Sequence, residues 1–121
     1  MDTHILLWSL AGSSRIDGIR TDLENLDNQI YFSVVSLWEI AIKSGLGKLD
    51  ANVVEVRQAA RDSGFVELSV LGSHVEALMG LAGHHRDPFD RLLVAQAKAE
   101  PMRLITADPI VARYDADIQF I

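Results

Sequence analysis

Strand-forming runs alternate with helix-start signals along the whole chain, and that alternation limits the possible folds more than any other feature. "QIYFSVV", residues 29–35, is β-branched and aromatic, which predicts a buried strand. It runs into "SLWEIAIKSGLGKL", a predicted helix ending at the glycine pair Gly45 and Gly47. Asn52 can cap a further helix to about Asp62, and "GFVELSV", residues 64–70, predicts a second strand. "RLITADP" predicts a short strand followed by a cap, and "DIQFI" a closing strand. Further helices are predicted over residues 5–11 and over a segment reaching Asp27, where Ile16, Ile19, Leu23 and Leu26 recur at helical spacing. Ser73 can cap another, with Val75, Leu78, Met79 and Ala82 as a core-facing stripe, and the last helix follows Asp87 and stops before Pro101. Strands alternating with helices imply an α/β fold, a mainly parallel sheet covered by helices on both faces. In such sheets ligands gather beyond the carboxyl ends of the strands.

A chain of 121 residues without repeat, low-complexity tract or linker reads as one domain, residues 1–121. No apolar run approaches the roughly 20 residues of a spanning helix. The N-terminus lacks the basic and apolar regions of a secretory signal. The expectation is a cytoplasmic protein with no membrane partner. With no cysteine, any metal must be held by oxygen or imidazole. A net charge of −6 argues against a broad basic face for nucleic acid, although acids gathered on cations would weaken that argument.

The acids recur in one arrangement. In "HHRDPFDRLLVAQAKA", residues 84–99, Asp87 is a good N-cap, Pro88 fits the first helical position, and Asp90 sits in the first turn. Asp108-Pro109 follows a strand in the same way, Asp2 precedes a helix, and Ser36 and Glu39 have capping-box spacing after residues 29–35. Each acid has a local explanation as a helix starter. Yet a parallel sheet brings strand-to-helix junctions to one edge, where Asp2, Glu39 and Asp108 would meet and Asp90 could join them. Carboxylates so gathered repel by roughly 4 kcal/mol per close pair at an effective dielectric near 20. Hard oxygen ligands suit Mg²⁺ or Mn²⁺, and such a site suits metal-assisted displacement at phosphorus.

Together "DTHILLW", "SVVSLWEIAIKSGLGKL", "HRDPFDRLLVAQA" and "LITADPIVARY" resemble the PIN-domain ribonucleases, specifically VapC-type toxins of bacterial toxin–antitoxin pairs. The resemblance runs from Asp2 to about Tyr114. It implies a three-layer α/β/α sandwich and a Mg²⁺- or Mn²⁺-dependent endoribonuclease cutting single-stranded RNA to a 5′-phosphate and a 3′-hydroxyl. It also implies a homodimer, a neutralising VapB-type antitoxin, and contact with DNA only through that antitoxin. Carried over residue by residue, Asp2, Glu39, Asp90 and Asp108 match the family's four acids, and Asp87 is both a cap and an outer ligand. Family members carry several apolar residues ahead of the first acid as the central strand. Here only Met1 does so, which predicts a sheet with its first strand truncated, through a misassigned or trimmed start or a strand exchanged between protomers.

Other residues have two readings each. Thr3 and Thr106 adjoin acids and either orient a metal-bound water or bond the backbone. Arg86, Arg91, Lys43 and Lys48 are candidate RNA contacts or solvated charges. His84 and His85 lack a spaced histidine partner for zinc and read as exposed loop residues or weak RNA contacts. Trp8 and Trp38, among apolar helical neighbours, read as core rather than base-stacking platforms. Two other functions remain open. One is a catalytically silent module that binds an antitoxin-like helix in an apolar groove. The other is a phosphatase or phosphoacceptor domain, which needs a nucleophilic aspartate.

Overall fold

The structure is a computed structural model that describes residues 1–121. Helix α1 spans Thr3–Leu10 and begins where the Asp2 carboxylate accepts the Ile5 N–H. The predicted helix to Asp27 is instead a 3-10 segment, Ser14–Ile19, followed by the short α2, Arg20–Glu24. Ile16 and Ile19 are buried against Ile5, whereas Leu26 lies beyond the last turn and is exposed. The apolar period ended with the burial available, not with the sequence pattern.

Strand β1 is only Tyr31–Ser33, and α3 spans Val34–Gly45. The Ser33 hydroxyl accepts the Val35 N–H, so Ser33 and not Ser36 is the cap. Val34 and Val35 are therefore helical despite their strand propensity, because Val35 is buried against the last long helix. Helix α4, Val53–Asp62, starts at the predicted Asn52 cap, which accepts from Val54 and Glu55 N–H groups. Strand β2, Val66–Leu68, pairs in parallel with β1, Tyr31 opposite Val66.

Helix α5, Gly72–Ala77, is not started by Ser73; His74 Nδ1 accepts the Leu71 N–H one turn back. Of its predicted core stripe, Leu78 packs against the core, but Val75 and Met79 are exposed, a correction the helical period could not foresee. Helix α6, Pro88–Ala99, begins at the predicted Asp87 cap, which accepts from Phe89 and Asp90 N–H groups. Leu92 to Ala97 are buried on every side, so α6 forms the centre of the main core, with Val35, Leu104, Val111 and Tyr114 around it. Its one buried amide, Gln96, accepts the Ser33 hydroxyl at 2.6 Å. Strands β3, Leu104–Thr106, and β4, Ile118–Phe120, form a second parallel pair.

The helices and parallel strands agree with the α/β expectation, but the strands form two separate pairs and not one continuous sheet. Between β1 and β3 lies a groove of about 550 Å³ lined by Met1, Ile30, Tyr31, Leu93, Leu104 and Ile105 among others. Asp2 N–H already donates to Ile105 O at its mouth, at 2.9 Å. Burial pushes the Met1 α-amino group below its ordinary pKa. The groove separates the two strand pairs. No helix is long and apolar enough to cross a membrane.

Candidate active site

The carboxyl ends of β1 and β3 lead directly to the acids. After β3, Thr106 Oγ1 donates to Asp2 Oδ2 at 2.5 Å while accepting the Asp108 N–H at 3.0 Å. Asp2 is buried, and its other oxygen caps α1. After β1, the first turns of α3 carry Ser36 and Glu39 toward Thr3, whose hydroxyl lies 3.0 Å from Ser36 Oγ and 2.6 Å from Glu39 Oε1. Glu39 is buried too, and its second oxygen pairs with Lys43 one turn on. Thr3 and Thr106 thus bond carboxylates directly, and Thr106 also bonds the backbone, one of the two roles open to it from the sequence.

Helix α6 delivers the third acid. The Asp87 cap leaves Asp90 in the first turn, facing inward. Desolvation raises the Asp90 pKa from 3.8 to about 7, with the charges of Asp87, Glu39 and Asp2 adding to the rise and His85 opposing it. Burial is thus the main cause of the shift, and the neighbouring carboxylates add to it. Asp108 stands on the outer side; one oxygen accepts the Ile110 N–H and the other lies 3.1 Å from His85 Nε2.

His85 is the residue the sequence reading missed. It is not an exposed loop residue: Nε2 lies 3.0 Å from Asp90 Oδ2 as well as 3.1 Å from Asp108 Oδ2, with most of the side chain covered. Its ring nitrogen and these two carboxylates lie within 4.8 Å of one another. The available signal was local, a histidine two residues before the Asp87 cap, where its Nδ1 accepts the Asp87 N–H at 3.2 Å. Where the ring then pointed depended on the opposing strand end. His84, by contrast, packs edge-on to Tyr114.

Asp90 thus lies in the field of Asp2, Glu39 and Asp87, Thr106 links Asp2 to Asp108, and the ligand atoms that come within 4.8 Å of one another are those of His85, Asp90 and Asp108. The acids offer hard carboxylate oxygens, a set that fits a divalent cation such as Mg²⁺ or Mn²⁺. The candidate RNA contacts fare differently. Arg86 and Lys48 are exposed. Lys43 is held by Glu39, and Arg91 is taken up by Ala82 O and the Tyr114 hydroxyl, so it fastens the 82–87 loop. Trp38 is not core: it is half-exposed and packs edge-on to Phe89 at 4.8 Å. Trp8 is partly buried against the Ile5 cluster, with Arg15 over its ring.

A sequence model described as the PIN domain matches residues 1–117. No curated protein and no solved structure matches the chain.

Proposed function

This chain belongs to the PIN domain family, whose members are nuclease-type proteins that typically use divalent metal ions, and we propose that it is an endoribonuclease toxin of the VapC type. The observation that carries the reading is that Asp90 lies in the field of Asp2, Glu39 and Asp87, whose charges help to raise its pKa, with Asp108 beside it across His85. In the proposed site Asp2, Glu39 and Asp90 hold the principal Mg²⁺ or Mn²⁺, and Asp108 completes a second or transient position. A divalent ion there supplies Lewis acidity, neutralising a phosphodiester and making water a better nucleophile.

The chain's own residues supply position and order. Thr106 and the start of α1 fix both oxygens of Asp2, and Thr3 and Lys43 fix those of Glu39, so neither carboxylate must reorganise during reaction. In this reading Asp108 orients the attacking water. The water oxygen bonds to phosphorus, the bond from phosphorus to the 3′ oxygen breaks, and the products carry a 5′-phosphate and a 3′-hydroxyl.

The proposed partners are single-stranded RNA, a second copy of the chain and a VapB-type antitoxin, through which alone DNA is reached. Trp38 and Ile42 on α3 and Leu46 just past its end recur every fourth residue and are 50%, 38% and 64% exposed, an apolar stripe that supports a protein partner. The whole of residues 1–121 acts as one domain in this reading.

The test is cleavage of unstructured RNA by purified protein with Mn²⁺ or Mg²⁺, beside the Asp90→Asn variant. Cutting by the parent and none by a variant with unchanged near-UV circular dichroism supports the reading. Equal cutting by both removes Asp90 from metal binding. Absence of divalent-ion binding near neutral pH selects the catalytically silent module that binds an antitoxin-like helix.

A further inference from the structure

We propose that His85 is a positioning residue that stands in for a cation: its Nε2–H occupies the space between Asp90 and Asp108 and yields it when a divalent ion binds. The inference rests on the reading of the acidic pocket as a divalent-ion site.

The polarity of the imidazole carries the argument. Nδ1 faces the Asp87 backbone N–H at 3.2 Å, and an N–H can only donate, so Nδ1 is the acceptor nitrogen. The ring hydrogen is then on Nε2, pointing at Asp90 Oδ2 and Asp108 Oδ2, 3.0 and 3.1 Å away. A metal-bound histidine has the reverse arrangement. Its ligating nitrogen is bare, and the other N–H donates to a carbonyl or carboxylate. With a backbone donor against Nδ1, His85 as placed cannot offer Nε2 to a metal without two N–H groups opposing each other. It instead presents a positive hydrogen to two acids, the electrostatic task of the ion itself.

The surroundings show what stays and what moves. His85 N–H donates to the hydroxyl of buried Tyr114 at 2.9 Å, and Arg91 Nη1 holds Ala82 O at 2.9 Å. The backbone of the loop is thus anchored independently of the ring. Rotating the ring away gives up only the long Nδ1 bond and the two carboxylate contacts. Asp108 keeps its bond from Ile110 N–H throughout, and Asp90 stays on the capped first turn of α6. In this arrangement the ion-free pocket is held by an internal donor that any incoming ion must displace.

Mn²⁺ binding, measured by calorimetry or by electron paramagnetic resonance of the free ion at one fixed pH, tests this in the whole protein. His85→Ala is expected to bind Mn²⁺ about tenfold tighter than the parent, the worth of about one hydrogen bond no longer in competition. His85→Gln, whose amide can still donate, is expected to return affinity toward the parent value. Loss of a merely structural side chain would loosen binding, so tightening with rescue by Gln is specific to the proposed role. Weaker binding in His85→Ala would make His85 a ligand and overturn the proposal, as would equal binding in all three proteins. If neither the parent nor the variants bind Mn²⁺, the divalent-ion reading of the pocket itself falls.

Discussion

Thr106 Oγ1 donates to Asp2 Oδ2 at 2.5 Å across 104 residues of chain, and the same hydroxyl accepts the Asp108 N–H. One threonine therefore joins the start of the chain to the end of β3 and sets two of the four acids relative to each other. Thr106→Val keeps the shape and removes both bonds, leaving a buried carboxylate oxygen and an N–H unpaired. We expect a loss of about 1–3 kcal/mol in urea denaturation and weaker Mn²⁺ binding. Thr106→Ser should retain most of both, and a valine variant as stable as the parent would show that the bond does not support the fold.

The raised pKa of Asp90 sets the sign of a pH effect. The folded protein holds a proton on Asp90 up to about pH 7, whereas the ordinary value is 3.8, so between these limits the folded state binds more protons than the unfolded one. Stability of the ion-free protein from this group is full below about pH 4 and is lost as pH rises to about 7. Denaturation in EDTA across this range should show the decline, and Asp90→Asn should flatten it and be more stable than the parent at pH 8.

Divalent ions should act in the opposite direction. Binding requires the Asp90 carboxylate, so Mn²⁺ affinity is expected to rise with pH until about 7 and then level. At a free concentration one hundred times the dissociation constant, the ion should add about 2.7 kcal/mol to unfolding, and EDTA should remove it. A melting temperature indifferent to Mn²⁺ and EDTA at pH 8 would count against ion binding at this pocket.

Gln96 accepts the Ser33 hydroxyl at 2.6 Å, and its amide nitrogen lies 3.3 Å from both Ser69 O and His74 Nδ1. Gln96→Leu strands the buried Ser33 hydroxyl and should cost about 1–3 kcal/mol. Adding Ser33→Ala should recover part of that loss, a non-additivity read in a double-mutant cycle. Mn²⁺ affinity is expected to stay near the parent value in both.

The groove between β1 and β3 predicts a gain. An extension of four or five alternating apolar residues fused ahead of Met1 can continue the Asp2–Ile105 hydrogen bond as a strand between the two pairs. The expected result is a higher melting temperature and slower hydrogen exchange at Tyr31–Ser33 and Leu104–Thr106. A glycine-serine extension of the same length should give neither; equal effects from both would mean that the groove does not accept a strand.

Local chemistry made much of the fold legible. Asn52 and Asp87 start their helices because a short oxygen-bearing side chain can reach N–H groups two or three residues ahead, whatever the fold. Residues decided by packing were misread. Val34 and Val35 have strand propensity but lie in α3, since Ser33 caps a helix there and α6 buries Val35. Helical spacing placed Val75, Leu78 and Met79 on one stripe, but spacing carries no information about whether another element covers each position, and only Leu78 packs against the core. Trp38 is half-exposed for the same reason.

The amino-acid sequence alone determined which acids stand at strand-to-helix junctions, which of them begin helices, and that strands and helices alternate. Those properties depend on hydrogen bonds and sterics spanning a few residues. Only the tertiary structure decided that β1 and β3 direct their carboxyl ends to one place, that Asp90 shares the resulting field with Asp2 and Glu39, and that His85 turns into it. Charge interaction acts through space and falls with distance and solvent, so its strength at Asp90 exists only once the chain has closed around it.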